Sequence, residues 1–475
     1  MPVVLALDLG TTSIAAVAVD EFGNVVRTVQ RSHRGQVDGL PTGYAEQDPE
    51  RLRSTAIDVL MELAASLSEP THALGLTGQM HSVVLLDRER SPLSNVITWQ
   101  DRRALENPHG AKETFLSEYL ARCDEADLRQ TGCRLSPGYA AVTLNTLIRR
   151  EQLPAAAVTA AQPADWMASV LTSEPVVCDR TNAASTGVYD LEKDCWSEPL
   201  LAAGGIPVKL MPPVRESGDV VGRLTDEMAR ATGLPAGLPV YCALGDNQAS
   251  VLGTVPAGEP ALQITIGTGG QINWSVDRFV RAEGLDTRYL PDGRFLLVGA
   301  GLAGGDAYAW VNRTIRTWLA AFGTDTDSEQ IYARLDELIA AVPEGTDGLA
   351  CEPFFRGTRR EPERRGLFAG ADVHNFTPGH VARAVLEGMA AAMKSVLDGA
   401  GLHAPSRISR IIGCGNGLQA NRHLVAAFQR EFGQNLWFPE QAEGAAFGAA
   451  LLAGVRTGMW ADLEAAGQLI RLRQA

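Results

Sequence analysis

A chain of 475 residues exceeds what one ordinary hydrophobic core organises, so two domains are expected. Hydrophobic content of 45% with 21% charged residues is that of a soluble globular protein, and the longest weakly polar run, Ala445 to Val455, is too short to span a bilayer. The formal net charge of −14 excludes general nucleic-acid binding, because no excess positive field exists to meet phosphates.

Seven scattered cysteines form no CxxC pair and no His/Cys metal spacing, which predicts free thiols in a reducing cytoplasm. The N-terminus enters a strand at once and carries Asp8, unlike a signal peptide. Val3 to Leu9 is an apolar run interrupted only by Asp8; the turn Gly10-Thr11-Thr12-Ser13 and a second apolar run, Ile14 to Val19, follow. This predicts a β-hairpin whose turn exposes N–H groups and hydroxyls beside an acidic mouth. Such a turn can wrap a phosphate, and Asp8 can hold a magnesium ion for it. In isolation, ordinary turn chemistry would look the same.

The turn recurs. Ala6 to Asp20 (ALDLGTTSIAAVAVD) aligns without a gap on Gln263 to Asp277 (QITIGTGGQINWSVD), with Gly10 on Gly267 and Thr11 on Thr268. Two halves on one plan are predicted, each offering a Gly-Thr turn to a shared cleft. The opening turn resembles that of the actin-like ATPase superfamily.

Between the hairpins, Asp48 and Pro49 open a helix running to about Leu67. Ala73 to Thr77 is a strand ending in Gly78-Gln79-Met80-His81, Val83 to Leu86 is another, and Ile97 leads into Trp99-Gln100-Asp101-Arg102. Asp179 to Asp190 (DRTNAASTGVYD) reads as a polar loop. The Pro/Gly-rich stretch Gly233 to Pro239 marks the predicted domain boundary, giving residues 1–238 and 239–475. Val240 to Leu244 is a strand ending in Gly245-Asp246-Asn247-Gln248. Helices are expected over about 304–320, 328–341, 378–399 and 419–432, with a strand at Ile408 to Ile412 and a helical C-terminus.

Asp246, after an apolar strand, is placed where open α/β sheets bind ligands; it suits a general base or a magnesium ligand, and equally a helix cap. Gln79, Met80 and His81 with Trp99, Asp101 and Arg102 gather an amide, an imidazole, a carboxylate, a guanidinium and an aromatic face at two strand ends. That set suits a polyhydroxylated molecule. Gly413-Cys414-Gly415-Asn416-Gly417 lacks the third glycine of a dinucleotide fingerprint, yet a strand, Gly-rich turn and helix still bring backbone N–H groups to a nucleotide. Gly388 to Ser395 matches a phosphate-binding loop only at its ends and reads as helical core.

Taken in order, these motifs resemble the FGGY carbohydrate kinases over essentially the whole chain. The resemblance implies an α/β fold of two ribonuclease-H-like (actin-like ATPase) domains around a cleft, and ATP-dependent phosphorylation of a sugar hydroxyl. It implies Asp246 as catalytic base, with Asp8 and Asp246 near Mg2+. Gln79, Met80, His81, Trp99, Asp101, Arg102, Asp246 and Asn247 would bind the sugar; Thr11, Thr12, Ser13, Gly267, Thr268, Gly413, Gly415, Asn416 and Asn421 would bind ATP. Phe355-Arg356-Gly357-Thr358-Arg359 resembles a cleft segment of the family. Gln79-Met80-His81 is the variant of ketose kinases, where glycerol kinases carry an Arg-Glu pair. The segments at 99–102 and 139–144, with Gln248, look closest to sedoheptulokinases, and xylulokinase is the alternative. A switch ATPase would leave the cluster at 79–102 without a task, and a non-catalytic sugar sensor would not need both Asp8 and Asp246. A symmetric homodimer is the default assembly.

Overall fold

The computed structural model describes residues 1–108, 110–358, 361, 363–401 and 408–475. Two sheets of seven strands carry the molecule. In the first, Val3–Leu9 lies between its antiparallel partner Ser13–Asp20 and the parallel strand Thr71–Gly78. Val25–Ser32 lies outside Ser13–Asp20, and Pro239–Tyr241 beyond Thr71–Gly78. In the second, Ala261–Ile266 takes the central place, between antiparallel Gly270–Val276 and parallel Arg410–Cys414. Phe295–Leu302 and Leu436–Pro439 are the next strands out. The repeated hairpin therefore holds the same position in both sheets, and the two halves are ribonuclease-H-like domains of the actin-like ATPase architecture.

Strand period and helix period explain the first core. Val3, Leu5, Leu7 and Leu9 point one way and join Leu52, Ala56, Val59, Leu60 and Leu63 of the helix Pro49–Ala65, which Asp48 caps. Val4 and Ala6 point the other way, into a core with Phe447 and Ala450. Asp8 is the next residue on that second face, at the end of the strand. Its position follows from alternation alone.

The chain leaves the first sheet later than the 238/239 division. Pro239–Tyr241 and Leu244–Gly245 both pair with Thr71–Gly78, and the second sheet begins at Ala261. The Pro/Gly stretch is a turn between the strands Val220–Arg223 and Pro239–Tyr241, preceded by the helix Asp226–Thr232. The crossover is the helix Asp246–Thr254, against which the late helix Gly444–Arg456 packs. A Cβ on Gly253 would lie 2.0 Å from the Gly444 carbonyl oxygen, and one on Gly448 1.9 Å from that of Ala249. Only glycine permits this approach.

Two local expectations are corrected. Residues Arg180–Ser185 form a short helix capped by Asp179, where a loop was expected; Thr181, Asn182 and Ser185 are polar but buried, so their side chains bond inside the fold. The C-terminus ends in the strand Leu472–Gln474, paired to Leu436–Pro439, because an open sheet edge offers its few residues more hydrogen bonds than another helical turn. The run Gly388 to Ser395 lies within the helix Pro378–Gly399, as expected. All seven cysteines are free, and among the described residues no helix is long and apolar enough to cross a membrane. Arg359 lies outside the described residues.

Candidate active site

Three neighbouring strands of the first sheet set the acidic centre. Asp8 is in register with Thr77, and Thr77 with Leu244, two residues before Asp246; the Thr77 hydroxyl donates to the Leu244 carbonyl at 3.0 Å. Burial pushes the Asp8 carboxyl up to about 8, reinforced by the charges of Asp246 and then Glu443. Burial raises Asp246 to about 6, partly offset by backbone N–H groups, of which that of Asn247 donates to Oδ1 at 2.8 Å. Asp8 Oδ1 is buried with no hydrogen-bond partner. An orphaned carboxylate oxygen beside a second acid fits a divalent cation. Among the described residues no group of three or more His, Cys, Asp or Glu side chains is arranged to hold a metal. Magnesium takes one or two carboxylates and completes its shell with phosphates and water.

The turn after Asp8 is held from its protein side. The Thr11 carbonyl accepts from Gln47 Nε2 at 2.7 Å, His33 Nε2 at 2.9 Å and Gln36 Nε2 at 3.2 Å. His33 Nδ1 accepts from the Gly35 N–H, so the proton sits on Nε2 and the ring is neutral; burial lowers its pKa. Gln47 is itself held by Gln79, whose Nε2 donates to Gln47 Oε1 at 2.8 Å while its Oε1 accepts from the Ser82 hydroxyl at 3.1 Å. Thr12 is exposed, and the Ser13 hydroxyl accepts from Gln30.

The second turn, Gly267 to Gly269, is exposed and braced by the start of the helix Gly305–Ala321. Gly305 N–H donates to the Gly267 carbonyl at 2.9 Å and Asp306 N–H to that of Thr268 at 3.0 Å. The Gly-rich turn after Arg410–Cys414 sits beside it, because Cys414 pairs with Thr265; a Cβ on Gly415 would lie 2.5 Å from the Ile266 carbonyl oxygen. Gly267, Thr268, Gly415 and Asn416 thus share one end of the second sheet. Gly413 is buried in its strand against Leu436 and Phe438, and Asn421 caps the helix Arg422–Phe432 through the Leu424 N–H.

The predicted sugar residues divide by what their polar atoms touch. His81 sits in the left-handed region at φ 68°, its Nδ1–H donating to the Ser185 carbonyl at 2.6 Å and its ring stacked on Tyr139 at 4.2 Å. The Trp99 indole N–H donates to the Thr11 hydroxyl at 2.9 Å, joining the sugar cluster to the first turn. Met80 packs over Gly245, next to Asp246. Gln79 is buried in the relay described above. Asp101 is buried with both oxygens engaged, by Arg103 and by the Ala45 N–H. Arg102 is exposed and reaches the Trp99 carbonyl. Asn247 exchanges both amide bonds with Asn273 of the second sheet, at 3.0 and 2.9 Å, and Asn273 continues to Gln263 at 2.7 Å. The structure therefore places Asp8, Asp246 and the first turn at one end of the first sheet, with Trp99 bonded to that turn, and it commits polar atoms of Gln79, Asp101 and Asn247 to hydrogen bonds inside the fold.

Models of the FGGY family of carbohydrate kinases match both halves of the chain, the N-terminal domain over residues 3–253 and the C-terminal domain over 262–457. The chain belongs to the FGGY family of carbohydrate kinases. It is a phosphotransferase with an alcohol acceptor. Similar proteins include a glycerol kinase of Shewanella piezotolerans, 28% identical over 97% of this chain and 91% of the relative, and a xylulose kinase of Lactococcus lactis, 27% identical over 98% and 90%. The solved xylulose kinase of Rhodospirillum rubrum is 29% identical with a TM-score of 0.86, covering 100% of this chain and 94% of that one.

Several residues of this FGGY kinase's site escaped the sequence reading. Gln47 and His33 lie between the strand Val25–Ser32 and the helix Pro49–Ala65, and both donate to the Thr11 carbonyl. Arg288 is buried in an edge strand of the second sheet, and its Nη2 donates to the Tyr139 hydroxyl at 2.8 Å. The single legible hint was Tyr139, which opens a segment already singled out.

Proposed function

We propose that this kinase transfers the γ-phosphoryl group of ATP to a primary hydroxyl of a ketose. The observation carrying this reading is Asp246, raised by burial to about 6, beside the orphaned Asp8 oxygen and within the wall that holds Trp99 and the first turn. At neutral pH Asp246 is ionised, so it can take the proton of the sugar hydroxyl as that oxygen attacks phosphorus in line. Thr11, Thr12 and Ser13 on one side and Gly267 and Thr268 on the other hold the phosphates; Gly415 and Asn416 approach the adenosine. Asp8 and Asp246 would hold Mg2+, which supplies positive charge to the transferring group. Met80, His81 and the face of Trp99 contact the sugar, while Gln79, Asp101 and Asn247 fix the wall behind it, and Gly413 and Asn421 shape the nucleotide side. The free thiols support a cytoplasmic location. The domains join within 246–260, so that each sheet forms one body.

Sedoheptulose is the proposed acceptor on the segments at 99–102 and 139–144, giving its 7-phosphate. D-xylulose is the second reading, favoured by the names of the Lactococcus and Rhodospirillum relatives. ADP release from MgATP over sedoheptulose, D-xylulose, D-ribulose, L-ribulose, glycerol and no sugar tests both. Stimulation by one ketose supports the reading and names the acceptor. A rate that ignores every sugar defeats it in favour of a switch ATPase.

A further inference from the structure

The helix Arg180–Ser185 is bonded to both the His81 corner and the segment that carries Asp246. At its start Asp179 is fully buried and accepts from the Ser217 hydroxyl through Oδ2, and from the Thr181 hydroxyl at 2.7 Å and the Asn182 N–H at 2.8 Å through Oδ1. The one proton of the Thr181 hydroxyl goes to Asp179. Its oxygen is therefore the acceptor that meets the Gly245 N–H at 2.8 Å. Next along, Asn182 Nδ2 donates to the Ala243 carbonyl at 3.0 Å and to Asp165 Oδ1 at 3.2 Å. Two bonds from one helix thus fix the residues just before Asp246. At the other end of the helix, Ser185 accepts from the His81 N–H at 3.2 Å through its hydroxyl and from His81 Nδ1 through its carbonyl. The Ala184 carbonyl accepts from Arg288 of the second sheet at 2.7 Å.

We propose that Thr181 is a positioning residue for Asp246, and that its helix is a rigid spacer setting the separation between the His81 ring and the Asp246 carboxylate. The proposal rests on Asp246 being the base. A cap alone would not need this arrangement: Asp179 already receives the Asn182 N–H, whereas the bond to Gly245 leaves the helix and stiffens a residue that has no side chain to restrain it. Misplacing a reacting group by about 1 Å costs on the order of 100-fold in rate, so a loosened Gly245 acts on turnover and leaves sugar affinity nearly alone.

The test compares Thr181→Val, which keeps the shape and removes the acceptor, with Thr181→Ser, which keeps the acceptor. Thr181→Ala replaces the valine variant should that one not fold. Steady-state kinetics on the ketose that stimulates the wild type are paired with amide hydrogen exchange over residues 240–250. Thr181→Val is expected to lose about 100-fold in kcat with the sugar KM within about three-fold, and to lose protection at 243–247. Thr181→Ser should restore both. Wild-type kcat in Thr181→Val, or unchanged protection at 243–247, overturns the proposal. A wild type that phosphorylates no ketose defeats the proposed function instead, and the exchange result still decides whether Thr181 tethers the segment.

Discussion

The two Gly-Thr turns occupy equivalent places in two similar sheets and are held in opposite ways. The first follows Asp8 and is gripped by side chains: Gln47, His33 and Gln36 on the Thr11 carbonyl and Trp99 on its hydroxyl. The second follows Thr265, the residue aligned with Asp8, and is gripped by backbone, with Gly305 and Asp306 at a helix start. A Cβ on Gly304 would lie 2.2 Å from the Gly269 carbonyl carbon. Duplication supplied the turn twice, but the acid and the contacts to the sugar cluster belong to the first copy. Under the proposed function, one half would do the proton and metal chemistry while the other supplies N–H groups to an anion.

The largest effect is expected at Asp246, which opens the helix Asp246–Thr254 after the strand Leu244–Gly245 of the first sheet. Asp246→Asn should lower kcat by about 10²–10⁴-fold with nucleotide binding kept, read from ADP release and nucleotide-dependent thermal shifts. Turnover close to wild type would remove Asp246 as the base. In the wild type, kcat/KM should fall as pH drops through about 6, because the protonated carboxyl cannot accept the hydroxyl proton.

The second largest effect concerns the backbone-held turn. Gly304→Ala forces a methyl into the Gly269 peptide, so the turn must move; the KM for ATP should rise about ten-fold or more while the sugar KM changes little. Equal rises in both constants would mean that the second turn does not act on phosphate alone.

Asp8 sharpens the contrast through stability. Its folded pKa of about 8 lies above the unfolded carboxylate value near 4, so the folded state binds a proton that the unfolded state has released. Without metal or nucleotide, this group's contribution is intact below about pH 4 and is lost progressively as pH rises to about 8. Asp8→Asn should flatten that part of the Tm profile, and MgADP should flatten it in the wild type. A profile identical in the variant would show that Asp8 ionises freely. The smallest effect is expected for Trp99→Phe, which removes one hydrogen bond to Thr11, worth about 0.5–1.5 kcal/mol, and should raise the sugar and ATP KM values together by a few-fold.

Much of this was legible because it is local. The period of two in Val3 to Leu9 put Asp8 on the face of Val4 and Ala6, and Asp48-Pro49 announced the helix Pro49–Ala65. The repeat of the hairpin announced the second sheet, whose central strand is Ala261–Ile266. Gly233 to Pro239 misled because Pro and Gly mark any turn, and only strand pairing tells a turn within a sheet from a passage between sheets. Asp179 to Asp190 misled because buried polar residues and exposed ones look alike in a chain; Thr181 and Asn182 are buried with partners some 60 residues away.

The sequence by itself determined the two-domain plan, the repeated Gly-Thr turns and the two acids near strand ends, because alternation, turn chemistry and strand-end position are properties of neighbouring residues. Tertiary structure alone decided which partners the polar groups meet. The hydrogen-bonding atoms of Gln79, Asp101 and Asn247 meet Gln47, Arg103 and Asn273, and those of His81 and Trp99 meet Ser185 and Thr11. A buried amide or carboxylate takes whatever partner the packing brings within about 3 Å, and that partner lies elsewhere in the chain.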